Sequence, residues 1–287
     1  MELDSYIDCH LHFHSPDMTD EIIKKIILKE APTLQTFYEN PNDHSPLLGL
    51  LDALKCKKAW IINYESPEVM GYTLETNDWV AKFCEGSGGM LVPVGSVHPG
   101  KHEDAAKIFR DYVESGMIKG LKVHGPHQLL KPNAYVNGLE SQRKLYQLAE
   151  ELQFPVIFHT GTSIFPKARS KFGNPMFLED ILIDFPDMVV IMAHGGRPFW
   201  VREAEFIMAK FQHHNLYMDL AGIPPKMIVN YFPRFHRFAH KSIFGSDYPS
   251  PGVPGSRENA EAIAQLPLEE SIIKKILYEN AEKLIPA

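Results

Sequence analysis

The chain has 287 residues, 44% hydrophobic and 23% charged, which is enough for one large α/β barrel or two ordinary domains and fits a soluble globular protein. Its formal net charge of −7 leaves no basic excess, which counts against a nucleic-acid groove, and no apolar run is long enough to span a bilayer. The three cysteines, Cys9, Cys56 and Cys84, form no Cys-x-x-Cys pair, and no basic segment leads into an apolar run at the start, so the expectation is a cytoplasmic protein with neither a disulfide framework nor a signal peptide.

Strand-like and helix-like runs alternate along the whole chain. Leu3 to Cys9 reads as a first strand, continuing into His10-Leu11-His12. Ile22, Ile23, Ile26 and Ile27 place one apolar stripe on a helix over Asp20 to Lys29, and Leu47, Leu50, Leu51 and Leu54 do the same over Pro46 to Lys55. Lys58 to Asn63 is the second strand, followed by a helix over Thr76 to Cys84. Met90 to Val97 is the third, followed by a helix over Glu103 to Glu114 that Gly116 stops. Ile118 to His124 is the fourth strand, and after the loop from Gly125 to Asn137 comes a helix over Glu140 to Leu152. Phe154 to His159 is the fifth strand. Its loop, Thr160 to Asn174, has the length often found in functional loops. Pro175 to Phe185 reads as a helix, Met188 to His194 as the sixth strand and Trp200 to Phe211 as a helix. Leu216 to Asp219 is the seventh strand, Lys226 to Tyr231 a short helix, Ser242 to Asp247 the eighth strand, and helices over Glu258 to Ala264 and Glu269 to Leu277 follow.

Eight strands, each followed by helix, give the cadence of a (β/α)8 TIM barrel, a fold of typically about 250 residues. The absence of repeats, low-complexity tracts and linkers makes residues 1–287 one domain. In such a barrel the active site lies at the C-terminal ends of the strands. Side chains able to bind a metal fall there on five strands: His10 and His12, Lys122 with His124, His159, His194 and Asp247. Strand alternation puts Asp8, His10 and His12 on one face and Cys9 behind it. His44, His213, His214, His236 and His240 fall on helices and loops and read as surface or capping residues.

This pattern resembles the amidohydrolase superfamily, and within it the amidohydrolase-related branch of metal-dependent hydrolases, lactonases and decarboxylases. The resemblance rests on the His-x-His of DCHLH, the His of PVIFHTG, the His of VVIMAHGG, the Asp of IFGSDYP and the tail KKILYENAEKLI. It implies that His10, His12, His159 and Asp247 surround one divalent ion, zinc first, with manganese, nickel or iron as alternatives. It also implies that Asp247 moves the proton of an attacking water, and that His194 polarises a substrate carbonyl or orients the water. Gly195 and Gly196 would leave space for a ligand's close approach.

In two-metal members of that superfamily a carboxylated lysine bridges the ions. The reading favoured for Lys122 is instead a contact with an anionic substrate group, beside His124, and a further alternative pairs Lys122 with a buried carboxylate such as Asp8. Arg197, Lys167, Arg169 and Lys171 could also reach the mouth, Arg being suited to two-pronged carboxylate binding, and Trp200 and Tyr248 are candidate pocket aromatics. The expected activity is hydrolysis of a C–O or C–N bond in a small carboxylate-bearing substrate. The alternatives are decarboxylation of an unsaturated or aromatic acid and, third, a non-catalytic binding barrel. A TatD-like nuclease also begins with His-x-His, but the acidic charge and the lack of an acidic residue ending the fourth strand count against it. No nucleic-acid or membrane partner is expected, and a homo-oligomer is left open.

Overall fold

A computed structural model describes residues 3–32, 34–250, 253 and 255–285. Eight parallel strands form one sheet in chain order. They are β1 (Tyr6–Leu11), β2 (Cys56–Ile62), β3 (Leu91–Gly95), β4 (Gly120–Val123), β5 (Val156–His159), β6 (Val190–Ala193), β7 (Leu216–Asp219) and β8 (Ser242–Ile243). The sheet closes through hydrogen bonds from Cys9 N–H to Phe244 O, Asp247 N–H to His10 O and His12 N–H to Tyr248 O, each 2.9 Å. This is the TIM barrel that the alternation predicts. The ladder with β7 stops after Ile243, earlier than Asp247, and the chain beyond Ile243 runs on along β1.

Both faces of the sheet are buried, which is why the strands are nearly continuous apolar runs. Ile7, Cys9, Trp60, Ile62, Val94, Ile157, Ile191 and Ile243 fill the interior. Residues of the other parity, among them Tyr6, Ala59, Ile61, Phe158 and Met192, pack outward with Phe109, Leu145, Ile181 and Ile207 of the surrounding helices. The last helical segments are Glu270–Lys274, a π-helical turn Lys275–Glu279, and Asn280–Leu284. Ala281 and Ile285 join the interior cluster, and Lys58 Nζ bonds to Ile285 O at 3.4 Å, so this segment plugs the barrel.

One irregularity corrects the reading of β1. Asp8 pairs with Ala59 but Leu11 with Ile61, so β1 carries one extra residue between them. Such a bulge breaks the alternation of faces. Cys9 therefore packs inside the barrel rather than behind the strand. Asp8 does not share the face of His10 and His12. Its carboxylate accepts from Ser246 N–H at 2.9 Å, His10 N–H at 3.1 Å and the Ser256 hydroxyl. A helix over Leu34–Glu39 was not legible as an apolar stripe, and short helical turns, Gly125–Gln128, Ala134–Asn137 and Ser170–Gly173, occupy stretches read as loop.

Candidate metal centre and cavity

His10, His12 and Asp247 bring three ligand atoms together at the mouth. His10 Nε2 lies 3.2 Å from His12 Nε2, and Asp247 Oδ1 lies 3.7 Å from the first and 3.4 Å from the second. Two atoms about 2.1 Å from one ion and at the tetrahedral angle to each other sit about 3.4 Å apart. The spacing thus fits a shared divalent ion, and a nitrogen-nitrogen-oxygen donor set suits zinc and its first-row neighbours.

The positions of the protons strengthen the fit. His12 Nδ1 faces the carbonyl of Ile62 at 3.1 Å, and a carbonyl can only accept, so Nδ1 carries the proton and Nε2 the lone pair. Asp219 Oδ2 fixes His10 in the same way, and Ala221 O, at 2.8 Å from Nδ1, fixes His194. Two imidazole lone pairs and a carboxylate oxygen then face one another, an arrangement that favours a bound cation. Burial pushes the His10, His159 and His194 imidazoles well below their ordinary pKa, so they are neutral. Burial alone would raise Asp247, but neighbouring His12, His10 and Arg197 hold it below the ordinary carboxylate range.

His159 sits beside this trio, its ring centroid 4.5 Å from that of His194 and 3.9 Å from that of His124. Its Nε2 is buried without a hydrogen-bond partner among the described residues, which is the state of a nitrogen held for a ligand. His194 and Asp247 both adopt left-handed backbone, with φ of 67° and 69°, conformations that non-glycine residues hold only when their surroundings enforce them. Gly195 and Gly196 serve that turn and its packing rather than ligand access. A Cβ on Gly195 would lie 2.6 Å from Phe232, and one on Gly196 3.1 Å from Trp200.

Lys122 does not pair with Asp8. It is fully buried with Nζ 3.2 Å from His10 Nε2, and Asp219 and Asp247 are its acidic neighbours. Burial lowers its pKa and raises that of Asp219. Asp219 was absent from the sequence-derived site. It ends β7 as the other site residues end their strands, and that position was the available signal. Its Oδ1 accepts from Ala221 N–H at 2.9 Å, and Gly245 gives it room, since a Cβ there would lie 2.5 Å from Oδ1.

His12 and Asp247 of the trio face a cavity of about 920 Å³, a figure that includes open solvent at its mouth. His12, His124, His159, His194, Arg197 and Asp247 line its inner end, while Phe13, Phe37, Tyr38, Tyr64, Tyr72 and Phe165 supply aromatic walls. Lys122 does not line it. Nor do Trp200, Tyr248, Lys167, Arg169 or Lys171; Lys167 instead pairs with Asp20 at 3.2 Å. Arg197 is the cationic residue among the lining residues, and its Nη2 donates to Asp247 Oδ2 at 3.1 Å. Gly222 makes that pair fit, for a Cβ there would lie 2.0 Å from Nη2.

The sequence profile of the amidohydrolases, the second family of that name, matches residues 7–287. The chain belongs to the amidohydrolase family. No curated protein matches it. Several solved structures share this family's fold. One is an uncharacterized TIM-barrel protein from Bordetella bronchiseptica, 22% identical over 98% of each chain with a TM-score of 0.74. Another is the 5-carboxyvanillate decarboxylase of Sphingomonas paucimobilis, 14% identical over 99% of each chain, TM-score 0.67. A third is a probable 2-pyrone-4,6-dicarboxylic acid hydrolase from Acinetobacter baumannii with citric acid bound, 16% identical over 98% of each chain, TM-score 0.66. Barrels of this shape thus include proteins named for hydrolysis and for decarboxylation. No described helix of the chain is long and apolar enough to cross a membrane.

Proposed function

We propose that this amidohydrolase is a hydrolase of a C–O or C–N bond in a small carboxylate-bearing substrate, dependent on one divalent ion, zinc by preference, held by His10, His12, His159 and Asp247. The observation that carries the reading is the convergence of two proton-locked imidazoles and an ionised carboxylate on one point at the inner end of an aromatic cavity. An ion there supplies Lewis acidity and lowers the pKa of a water to about 7. Asp247 takes the proton of the attacking water and returns it to the leaving group. Arg197 holds Asp247 Oδ2 and so keeps the carboxylate ionised and oriented. Because the Nδ1–H of His194 is committed to Ala221 O, its Nε2 can only accept, which suits orienting water better than polarising a carbonyl. Arg197 and His124, both on the cavity wall, are assigned to the substrate's carboxylate, whereas Lys122, away from the wall, offsets the charge of Asp219 and Asp247 from below.

A second reading, decarboxylation, is favoured by the aromatic walls, which suit a flat unsaturated ring, and by the name of the Sphingomonas relative. In that case Asp247 would first take a proton from water and pass it to the ring carbon, while His194 Nε2, which can only accept, would orient that water. Turnover of lactones, esters and aromatic acids in ¹⁸O-labelled water separates the two. Hydrolysis leaves label in the product carboxylate, and decarboxylation releases carbon dioxide from an unlabelled ring. Full activity after removal of bound metal, or in Asp247→Ala, overturns both.

A further inference from the structure

His14 ends the same histidine-rich stretch as His10 and His12, yet the catalytic reading gives it no task. It lines the cavity, is 6% exposed, and stacks on Tyr72 with ring centroids 4.3 Å apart. Its proton can be placed by following a chain of hydrogen bonds. Asn63 is fully buried, and one end of its amide lies 2.8 Å from the carbonyl of Phe13. A carbonyl only accepts, so that end must be the NH2 group. The other end, Oδ1, then faces two groups at 2.8 Å, the hydroxyl of Thr76 and Nδ1 of His14. Both must donate, so the proton of His14 sits on Nδ1. Its Nε2 is a bare acceptor, with no partner among the described residues. Across Tyr64, His124 has the opposite arrangement. Its Nδ1 accepts from His127 N–H at 3.3 Å, which leaves Nε2–H as a donor. The rings of His14 and His124 lie 5.6 and 4.8 Å from that of Tyr64.

We propose that His14 is a specificity-determining residue: its Nε2 accepts a hydrogen bond from a hydroxyl or ring N–H of the substrate, so the natural substrate is an acid bearing such a donor and not only a carboxylate. This deepens the functional reading and rests on it. A site built to receive a donor rejects an analogue that lacks one, because the buried acceptor is left unpaired.

The test is calorimetric titration of the zinc-loaded protein with benzoate, the three hydroxybenzoates and the corresponding methoxybenzoates. The best hydroxybenzoate is expected to bind about tenfold more tightly than benzoate and than its own methoxy analogue, which fills the space but cannot donate. His14→Phe, which keeps the stack on Tyr72, is expected to abolish that preference while zinc content stays at one ion per chain, and His14→Gln, which retains an acceptor, to restore part of it. Equal binding of all the probes by the wild type overturns the role of His14 and leaves the aromatic-acid reading standing. Binding of none overturns both. Side-chain ¹⁵N spectra of the unmodified protein need no variant to fold. A protonated Nε2 on His14 overturns the proposal, and a bare Nε2 with protonated Nδ1 supports it.

Discussion

The imidazoles of His10, His12 and His194 each have Nδ1 tied to a carboxylate or carbonyl oxygen, which leaves each Nε2 bare, and those of His10 and His12 meet 3.2 Å apart. Asp219 does most for His10, because a carboxylate both fixes the proton and raises the basicity of the opposite nitrogen. Asp219→Asn keeps the shape and removes the charge, and zinc affinity measured by competition with a chelator is expected to fall about 10- to 100-fold. Gly222→Ala is expected to lower kcat/KM, since its methyl group would press on both Arg197 Nη2 and Asp247 Oδ2; unchanged kinetics would mean that the pair is dispensable. At this scale the sequence was informative where one residue type carries the chemistry. His10, His12 and Asp247 stood out because imidazoles and a carboxylate at strand ends are rarely needed for packing. Asp219 did not, since its role depends on touching His10, and the atoms that lock His12, His14 and His194 are backbone carbonyls or reached through one, which no residue identity marks.

Elements position these groups through two local devices. The bulge in β1 sends Cys9 into the core and turns Asp8 to Ser246 and Ser256, where it ties the first strand to the segment after β8. A strict two-residue alternation could not foresee this, as one inserted residue reverses every later face. The loop between β5 and the helix Phe177–Asp184 is pinned where Gly161 N–H meets Gly173 O at 2.7 Å. A Cβ on Gly173 would lie 2.0 Å from Gly161 O. Gly173→Ala is therefore expected to cost about 1–3 kcal/mol of stability in urea unfolding, an overpacking effect in a place where backbone meets backbone. A smaller loss would show that the loop adjusts freely. The helix Leu34–Glu39 escaped detection because its six residues, LQTFYE, are too few for an apolar stripe to emerge.

The whole barrel was the most legible feature, because eight apolar runs in alternation with amphipathic ones admit few other folds. Its cavity end is rich in buried neutral histidines, and this makes the metal-free protein sensitive to acid. Burial holds His127 down to about 3, against an ordinary value of 6.5. Between those values the unfolded chain binds a proton that the folded chain refuses, so this stability is complete above 6.5 and drains away as the pH falls toward 3. From about pH 7 to about pH 5.5 this one residue accounts for about 1 kcal/mol. In the metal-free protein, His127→Gln is expected to lessen the loss by that amount, as read from urea midpoints at the two pH values. Zinc at about 100 times its dissociation constant should add about 2.7 kcal/mol to the wild type and nothing to His12→Ala. The shortness of β8 has one more consequence. The barrel is joined at a thin seam, where two residues pair with β7 and the following turn leans on β1. An ion gripped by His10 and His12 on one side and Asp247 on the other would bridge that join like a clasp. Stripping it should quicken amide exchange at residues 8–12 and 244–248 before the rest of the barrel responds.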